Sequence, residues 1–188
     1  MHSSKRVPGA VRIIGGAHRG RRLPVVARPD LRPTPDRVRE TLFNWLGQRL
    51  DGLACLDLFA GTGALGFEAA SRGAERVVMV ERDRGAFDSL ERARALLRET
   101  RVQVVSADAF EFLRRPAAGR FDVVFLDPPF RQNAVRELLA LLPQSLAPAA
   151  RVYVEGPSPC EAQAFAELRR ARAGQVSYQL LQWTGSAS

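Results

Sequence analysis

The chain is poor in the residues that build covalent staples and metal centres. Its 188 residues include two cysteines, Cys55 and Cys160, and two histidines, His2 and His18. Two thiols exclude a disulfide scaffold. With only two histidines beside them, a Cys/His zinc site of the usual kind is not expected. Long apolar runs are also missing. The longest is Leu138–Leu142, five residues ahead of Pro143, and a spanning helix needs about 20. Residues 1–10 carry Lys5 and Arg6 with no apolar stretch behind them, so no signal peptide is expected and the expected compartment is the cytoplasm. Lysine is nearly absent: Lys5 is the only one.

Acidic residues are scarce at one end. Residues 1–40 hold ten basic and three acidic side chains, a net +7, whereas the rest holds 18 basic and 17 acidic, a net +1. Arginine-rich composition explains the choice of cation, but not why the acids avoid the N-terminal segment. A basic arm on a near-neutral body suits a polyanion, most simply nucleic acid. Arginine adds forked donors for phosphate and a plane that stacks on bases.

Composition is otherwise that of a globular domain, with 46% hydrophobic residues, and the length suits one domain with an added segment. Residues 1–10 read as a disordered start. Residues 11–50 read as a basic extension, with two short strands within 11–26 and then a helix. Thr34 is placed to cap that helix and Pro35 to occupy its first turn. Val38, Leu42, Trp45 and Leu46 form its apolar stripe. Residues 51–188 read as one α/β domain. Strands are expected at 53–58, 76–81, 102–106, 121–126 and 150–155. Helices are expected near 64–72, 84–98, 109–115, 131–142 and 161–167. Alternating β-α units imply an open parallel sheet covered on both faces. Residues 168–173 and Val176–Trp183, around Gly174-Gln175, read as an antiparallel hairpin closing it. Ligands of such sheets bind beyond the carboxyl ends of the strands.

Three of those ends carry informative residues. After the first, Gly61, Gly63 and Gly66 fit G-x-G-x-x-G and open a helix. That loop alone also suits nicotinamide or flavin cofactors. Asp57 beside it favours a cationic ligand group over a pyrophosphate, and Glu81 at the end of the next strand can accept both hydroxyls of a ribose. Asp108 follows the third strand. It reads either as a helix cap paired with Glu111 or as acceptor for an adenine amine, and the two roles can coexist.

The fourth end, Asp127-Pro128-Pro129-Phe130, is the most specific signal. Two prolines stop a strand ladder and fix a rigid loop with directed carbonyls. Asp127 adds an acceptor and Phe130 a flat face. Such a set suits a planar substrate with an exocyclic NH2. Hydrogen bonds from that amine to Asp127 and the Pro128 carbonyl free its delocalised lone pair for attack, and Asp127 can take the released proton. Cys55 lies within a strand and reads as a buried thiol rather than a nucleophile.

Asp57-Leu-Phe-Ala-Gly-Thr-Gly, Glu81, Asp108 and Asp127-Pro-Pro-Phe, in this order, resemble a class I S-adenosylmethionine-dependent methyltransferase that acts on amines. Arg12-Ile-Ile-Gly-Gly, Arg19-Gly-Arg21, the block Leu31-Arg-Pro-Thr-Pro-Asp-Arg-Val-Arg-Glu-Thr-Leu-Phe-Asn-Trp45 and Gly174-Gln-Val-Ser-Tyr178 narrow the likeness. They resemble the bacterial 16S ribosomal RNA guanine-N2 methyltransferase (RsmD) family over residues 11–183. The resemblance implies a Rossmann-like, seven-stranded, mostly parallel sheet with an antiparallel C-terminal hairpin. It implies S-adenosylmethionine at Asp57, Phe59, Gly61, Thr62, Gly63, Glu81, Arg82, Asp108 and Ala109, leaving as S-adenosylhomocysteine, with no metal. It implies a flipped guanine at Asp127, Pro128, Pro129 and Phe130. Ribosomal RNA, as naked 16S RNA or in the small subunit or an assembly intermediate, would contact Arg19, Arg21, Arg22, Arg32, Thr34, Arg37 and Arg39. A monomer with no membrane partner is expected.

Rival readings remain distinguishable. A nicotinamide oxidoreductase shares the glycine loop and Glu81 but leaves the proline loop and basic arm unexplained. A non-catalytic RNA binder explains the arm alone. A methyltransferase of adenine N6 or protein glutamine uses a related proline loop.

Overall fold

The computed structural model describes residues 10–24, 34–115, 119–129 and 132–185. Two short strands, β1 (Ala10–Arg12) and β2 (Arg22–Pro24), pair antiparallel, and helix α1 (Asp36–Leu46) follows. Next come β3 (Ala54–Asp57), α2 (Ala64–Ser71), β4 (Arg76–Glu81), α3 (Arg84–Leu97), β5 (Val102–Ser106) and α4 (Ala109–Arg114). The chain closes with β6 (Phe121–Leu126), α5 (Gln132–Leu141), a 3-10 turn (Leu142–Ser145), β7 (Leu146–Gly156), β8 (Phe165–Ala173) and β9 (Val176–Trp183). Seven strands form one sheet in the order β5-β4-β3-β6-β7-β9-β8. The first five run parallel, and β9 is antiparallel to both β7 and β8. This is the Rossmann-like, mostly parallel sheet with an antiparallel C-terminal hairpin that the resemblance implies. Among the described residues no helix is long and apolar enough to cross a membrane.

The apolar runs are continuous because both sheet faces are covered. Cys55, Val77, Met79, Val123, Phe125 and Tyr153 pack on one face. Leu56, Val78, Val80, Val124, Leu126, Val152 and Val154 pack on the other. Period-2 alternation makes this division, and each such side chain contributes about 1.5–3 kcal/mol on burial. Ile13, Leu23, Val38, Leu42, Phe43 and Leu46 of the N-terminal elements join the first of these clusters. That segment therefore packs into the core of the sheet.

Several expectations need correction. β1 begins at Ala10, the last residue of the expected disordered start, because Ala10 pairs with Pro24. Residues 1–9 lie outside the described residues. The helix expected at 161–167 is absent: a turn leads into β8, whose residues from Phe165 onward pair with β9. Good helix formers there are overridden by hairpin pairing across Gly174-Gln175. β7 starts at Leu146 rather than 150, and its pairing to β6 shifts register after Phe121. Helix α1 begins after Pro35 and has no side-chain cap. Thr34 instead donates its hydroxyl to Glu155.

Candidate active site

Five neighbouring parallel strands each end in a carboxylate. In sheet order these are Asp108 after β5, Glu81 on β4, Asp57 on β3, Asp127 after β6 and Glu155 on β7. Alternation from Cys55, Met79, Phe125 and Tyr153 places Asp57, Glu81, Asp127 and Glu155 on one face, the face that carries α1. Asp57 is 2% exposed. It accepts the backbone N–H of Gly66 at 3.1 Å and that of Phe59, and so holds the loop closed beneath it. Burial, reinforced by the nearby Glu81, pushes its carboxyl up to about 7. Glu81 accepts the N–H of Gly61 at 2.9 Å and of Asp83 at 2.7 Å. Among the described residues each of its oxygens accepts one hydrogen bond, which leaves acceptor capacity for a ligand.

The loop is fixed by geometry that glycine alone provides. Gly63 precedes α2 with φ +79°, a conformation costly for any side chain. A Cβ on Gly66 would stand 2.8 Å from Met79, so this glycine lets α2 lie close on β4. Asp108 accepts N–H groups of Phe110 and Glu111 as the cap of α4. Its other oxygen stands 3.9 Å from Arg82. Among the described residues, Asp57, Glu81, Asp127 and Glu155 have no basic side-chain partner. These carboxylates also form no cluster that could hold a metal ion.

Asp127 and Glu155 stand side by side, because Leu126 pairs with Val154 in the parallel ladder. Burial and the carboxylates of Glu155 and Asp57 push the Asp127 carboxyl well above its usual range. Glu155 is also raised by burial, opposed by hydrogen bonds from Tyr153 and Thr34. The Tyr153 hydroxyl lies 2.6 Å from Glu155 Oε1. Pro128 is buried and Pro129 exposed.

A family model described as "Conserved hypothetical protein 95" matches residues 11–182. The chain is 44% identical to "Ribosomal RNA small subunit methyltransferase D" of Escherichia coli (strain K12), covering 93% of this chain and 90% of that one. The chain belongs to this family. The Haemophilus influenzae protein of the same name is 42% identical, over 93% of this chain and 94% of that one. The solved structure of Escherichia coli yhhF superposes with a TM-score of 0.86 at 41% identity, covering 93% and 98% of the two chains.

Against this family frame, Asp57, Phe59, Gly61, Thr62, Gly63, Glu81, Arg82, Asp108 and Ala109 all gather at the carboxyl ends of β3, β4 and β5. Asp127, Pro128 and Pro129 join them from β6, whereas Phe130 lies outside the described residues. Neither arginine that follows Glu81 in sequence pairs with it. Arg82 faces Asp108, and Arg84 pairs with Asp88. Cys55 is buried and its thiol is pushed up to about 12, mainly by burial.

The expected RNA contacts separate into two groups. Arg19, Arg21, Arg22 and Arg37 are exposed, and Arg32 lies outside the described residues. Arg39 needs correction: it is 1% exposed and cannot reach RNA. It shares the inner face of α1 with Leu42, Phe43 and Leu46. Its guanidinium donates to Glu68 at 3.3 Å and to the backbone carbonyls of Arg12 and Thr34. Thr34 is likewise buried, turned toward Glu155 rather than outward.

Sequence reasoning missed Glu155 and Glu68. Glu155 ends a strand, so the rule that found Asp57, Glu81 and Asp127 applied to it as well. Glu68 carried no such signal. It is fully buried on α2 and accepts from Arg39, from Arg72 at 2.8 Å and from the N–H of Ile14 at 2.9 Å. These bonds tie the N-terminal elements to α2.

Proposed function

We propose that this chain methylates the exocyclic N2 amine of one guanine in 16S ribosomal RNA, with S-adenosylmethionine as donor. The observation that carries the reading is the row of carboxylates meeting the Asp127-Pro128-Pro129 loop. Four acids with no basic side-chain partner among the described residues suit a ligand that brings ammonium and sulfonium charges, and they disfavour a pyrophosphate. Asp57 with the loop from Phe59 to Gly63 would hold the charged amino-acid part. Glu81 and Arg82 would hold the ribose, and Asp108 and Ala109 the adenine. When bound, this cofactor supplies a methyl group activated on sulfur.

The protein's part is to present the amine. Asp127 and the Pro128 carbonyl accept the two N2 hydrogens, which draws the nitrogen out of conjugation and aims its lone pair. With the donor bound, its methyl would pass to that nitrogen and the bonding electron pair would stay on sulfur. The nitrogen then gives one proton to Asp127. A carboxylate whose acidity is weakened by burial and like charge is the better base for that proton. The exposed Arg19, Arg21, Arg22 and Arg37 would hold the phosphates around the flipped base. In this reading residues 11–50 form the RNA-binding extension, residues 51–188 form the catalytic domain, and a monomer works in the cytoplasm.

Names of the relatives support the reaction and the RNA class. The test is transfer of labelled methyl from S-adenosylmethionine to small subunits lacking their native methylation, with nucleoside analysis of the product. N2-methylguanosine at one site is expected. Transfer only to DNA or protein overturns the RNA assignment, and another methylated nucleoside overturns guanine N2.

A further inference from the structure

The geometry points to Glu155 as the residue that selects guanine, its carboxylate accepting the ring N1–H while Asp127 and Pro128 hold the adjacent N2 amine. This rests on the guanine-N2 reading above.

Three observations carry it. First, the ladder pairs Leu126 with Val154, so the next residues, Asp127 and Glu155, stand one strand spacing apart, about 4.8 Å between backbones. Second, both follow residues of the same face, Phe125 and Tyr153. Third, Glu155 is held in place by two donors from different elements, Tyr153 at 2.6 Å and Thr34. A carboxylate has about four acceptor positions, so two remain for a ligand. Both acids are only partly buried. Nothing in the transfer step itself requires this second carboxylate.

Base chemistry supplies the remainder. Guanine, adenine and cytosine each bear an exocyclic amine. Guanine alone places a ring N–H beside it, whereas adenine and cytosine place a lone pair there. Two neighbouring carboxylates therefore meet two neighbouring donor groups on guanine. With adenine or cytosine the second carboxylate faces a lone pair, which leaves a partly buried charge unpaired and repelled. Thr34 extends this device to the segment before α1, because its hydroxyl fixes the selecting group.

The test replaces the methylated guanine of the small-subunit RNA with 2-aminopurine, which keeps the amine but carries a lone pair at N1. Wild-type kcat/KM for methyl transfer is expected to fall by about 100-fold on this substitution, because the carboxylate loses its donor and is left facing a lone pair. In Glu155→Gln the amide can donate to that lone pair. Activity on guanine falls, and the preference for guanine over 2-aminopurine collapses to within about threefold. Thr34→Val, which removes one tether, lowers the preference partially and serves if the glutamine variant folds poorly. An unchanged preference in both variants overturns the assignment of Glu155, as does a wild-type enzyme that accepts both bases equally. A purely structural Glu155 would lower both substrates in parallel. Failure of the wild type to form N2-methylguanosine on native particles overturns the guanine reading itself and is seen separately by nucleoside analysis.

Discussion

If the cofactor binds against Asp57 as proposed, binding is expected to release a proton. The Asp57 carboxyl is buried under the glycine loop, accepts only backbone N–H groups among the described residues and lies near 7. At pH 7 about half of the free protein therefore carries a proton there. A cationic ligand placed against the loop requires the ionised form. Binding then releases about half a proton at pH 7 and about 0.9 at pH 6, and affinity falls about fivefold between those two values. Isothermal titration of S-adenosylmethionine in two buffers of different ionisation enthalpy counts the protons directly. Asp57→Asn keeps an acceptor for the Gly66 N–H and removes the titration, so its count drops toward zero. A release below about 0.1 at pH 7, or equal release from the variant, refutes the reasoning. The same shift has a cost in the free protein. The folded pKa lies above the ordinary value of 3.8, so this group's contribution is fully present below 3.8 and is lost as pH rises through about 7. Asp57→Asn is accordingly expected to raise the melting temperature of the free protein at pH 8, recovering part of about 4 kcal/mol.

Glu68 is the converse case, a buried acid whose partners are bases. Glu68→Gln removes the buried anion shared by Arg39 and Arg72, leaving Arg39 to Asp36 as its one acidic partner among the described residues, and costs about 3–5 kcal/mol by denaturant unfolding; a loss under about 1 kcal/mol would show that the remaining partners suffice. Asp127→Ala is expected to abolish turnover while S-adenosylmethionine still binds, measured by single-turnover transfer beside titration; equal loss of both shows that Asp127 belongs to the cofactor. Because its carboxyl is raised, wild-type turnover climbs with pH from acid toward neutrality, and a flat profile contradicts its role as proton acceptor. Replacing Arg19, Arg21 and Arg22 with alanine is expected to reduce the slope of log affinity for RNA against log salt by about 2. An unaltered slope marks them as bystander charge.

The sequence by itself determined most of the architecture. Apolar runs of Val, Leu and Phe separated by helical stripes dictate a parallel sheet covered on both faces, and β3 through β6 lie within a residue or two of their expected bounds. Strand ends are legible for the same reason. Asp57, Glu81 and Asp127 each interrupt an apolar run where burial on both faces stops. Local propensity misled where pairing with a distant segment was decisive. Ala162 to Glu167 suit a helix, yet β9 offers an unpaired edge that takes Phe165–Ala173 as a strand. Only the tertiary structure decided which charges are buried. Arg39 and Arg37 sit two apart in one basic block, and α1 turns one into the core against Glu68 and leaves the other in solvent. It alone brought Thr34 and Glu155, distant in sequence, into one hydrogen bond beside Asp127. Strand register and helix orientation set such meetings, and both arise from packing between segments that no local pattern encodes.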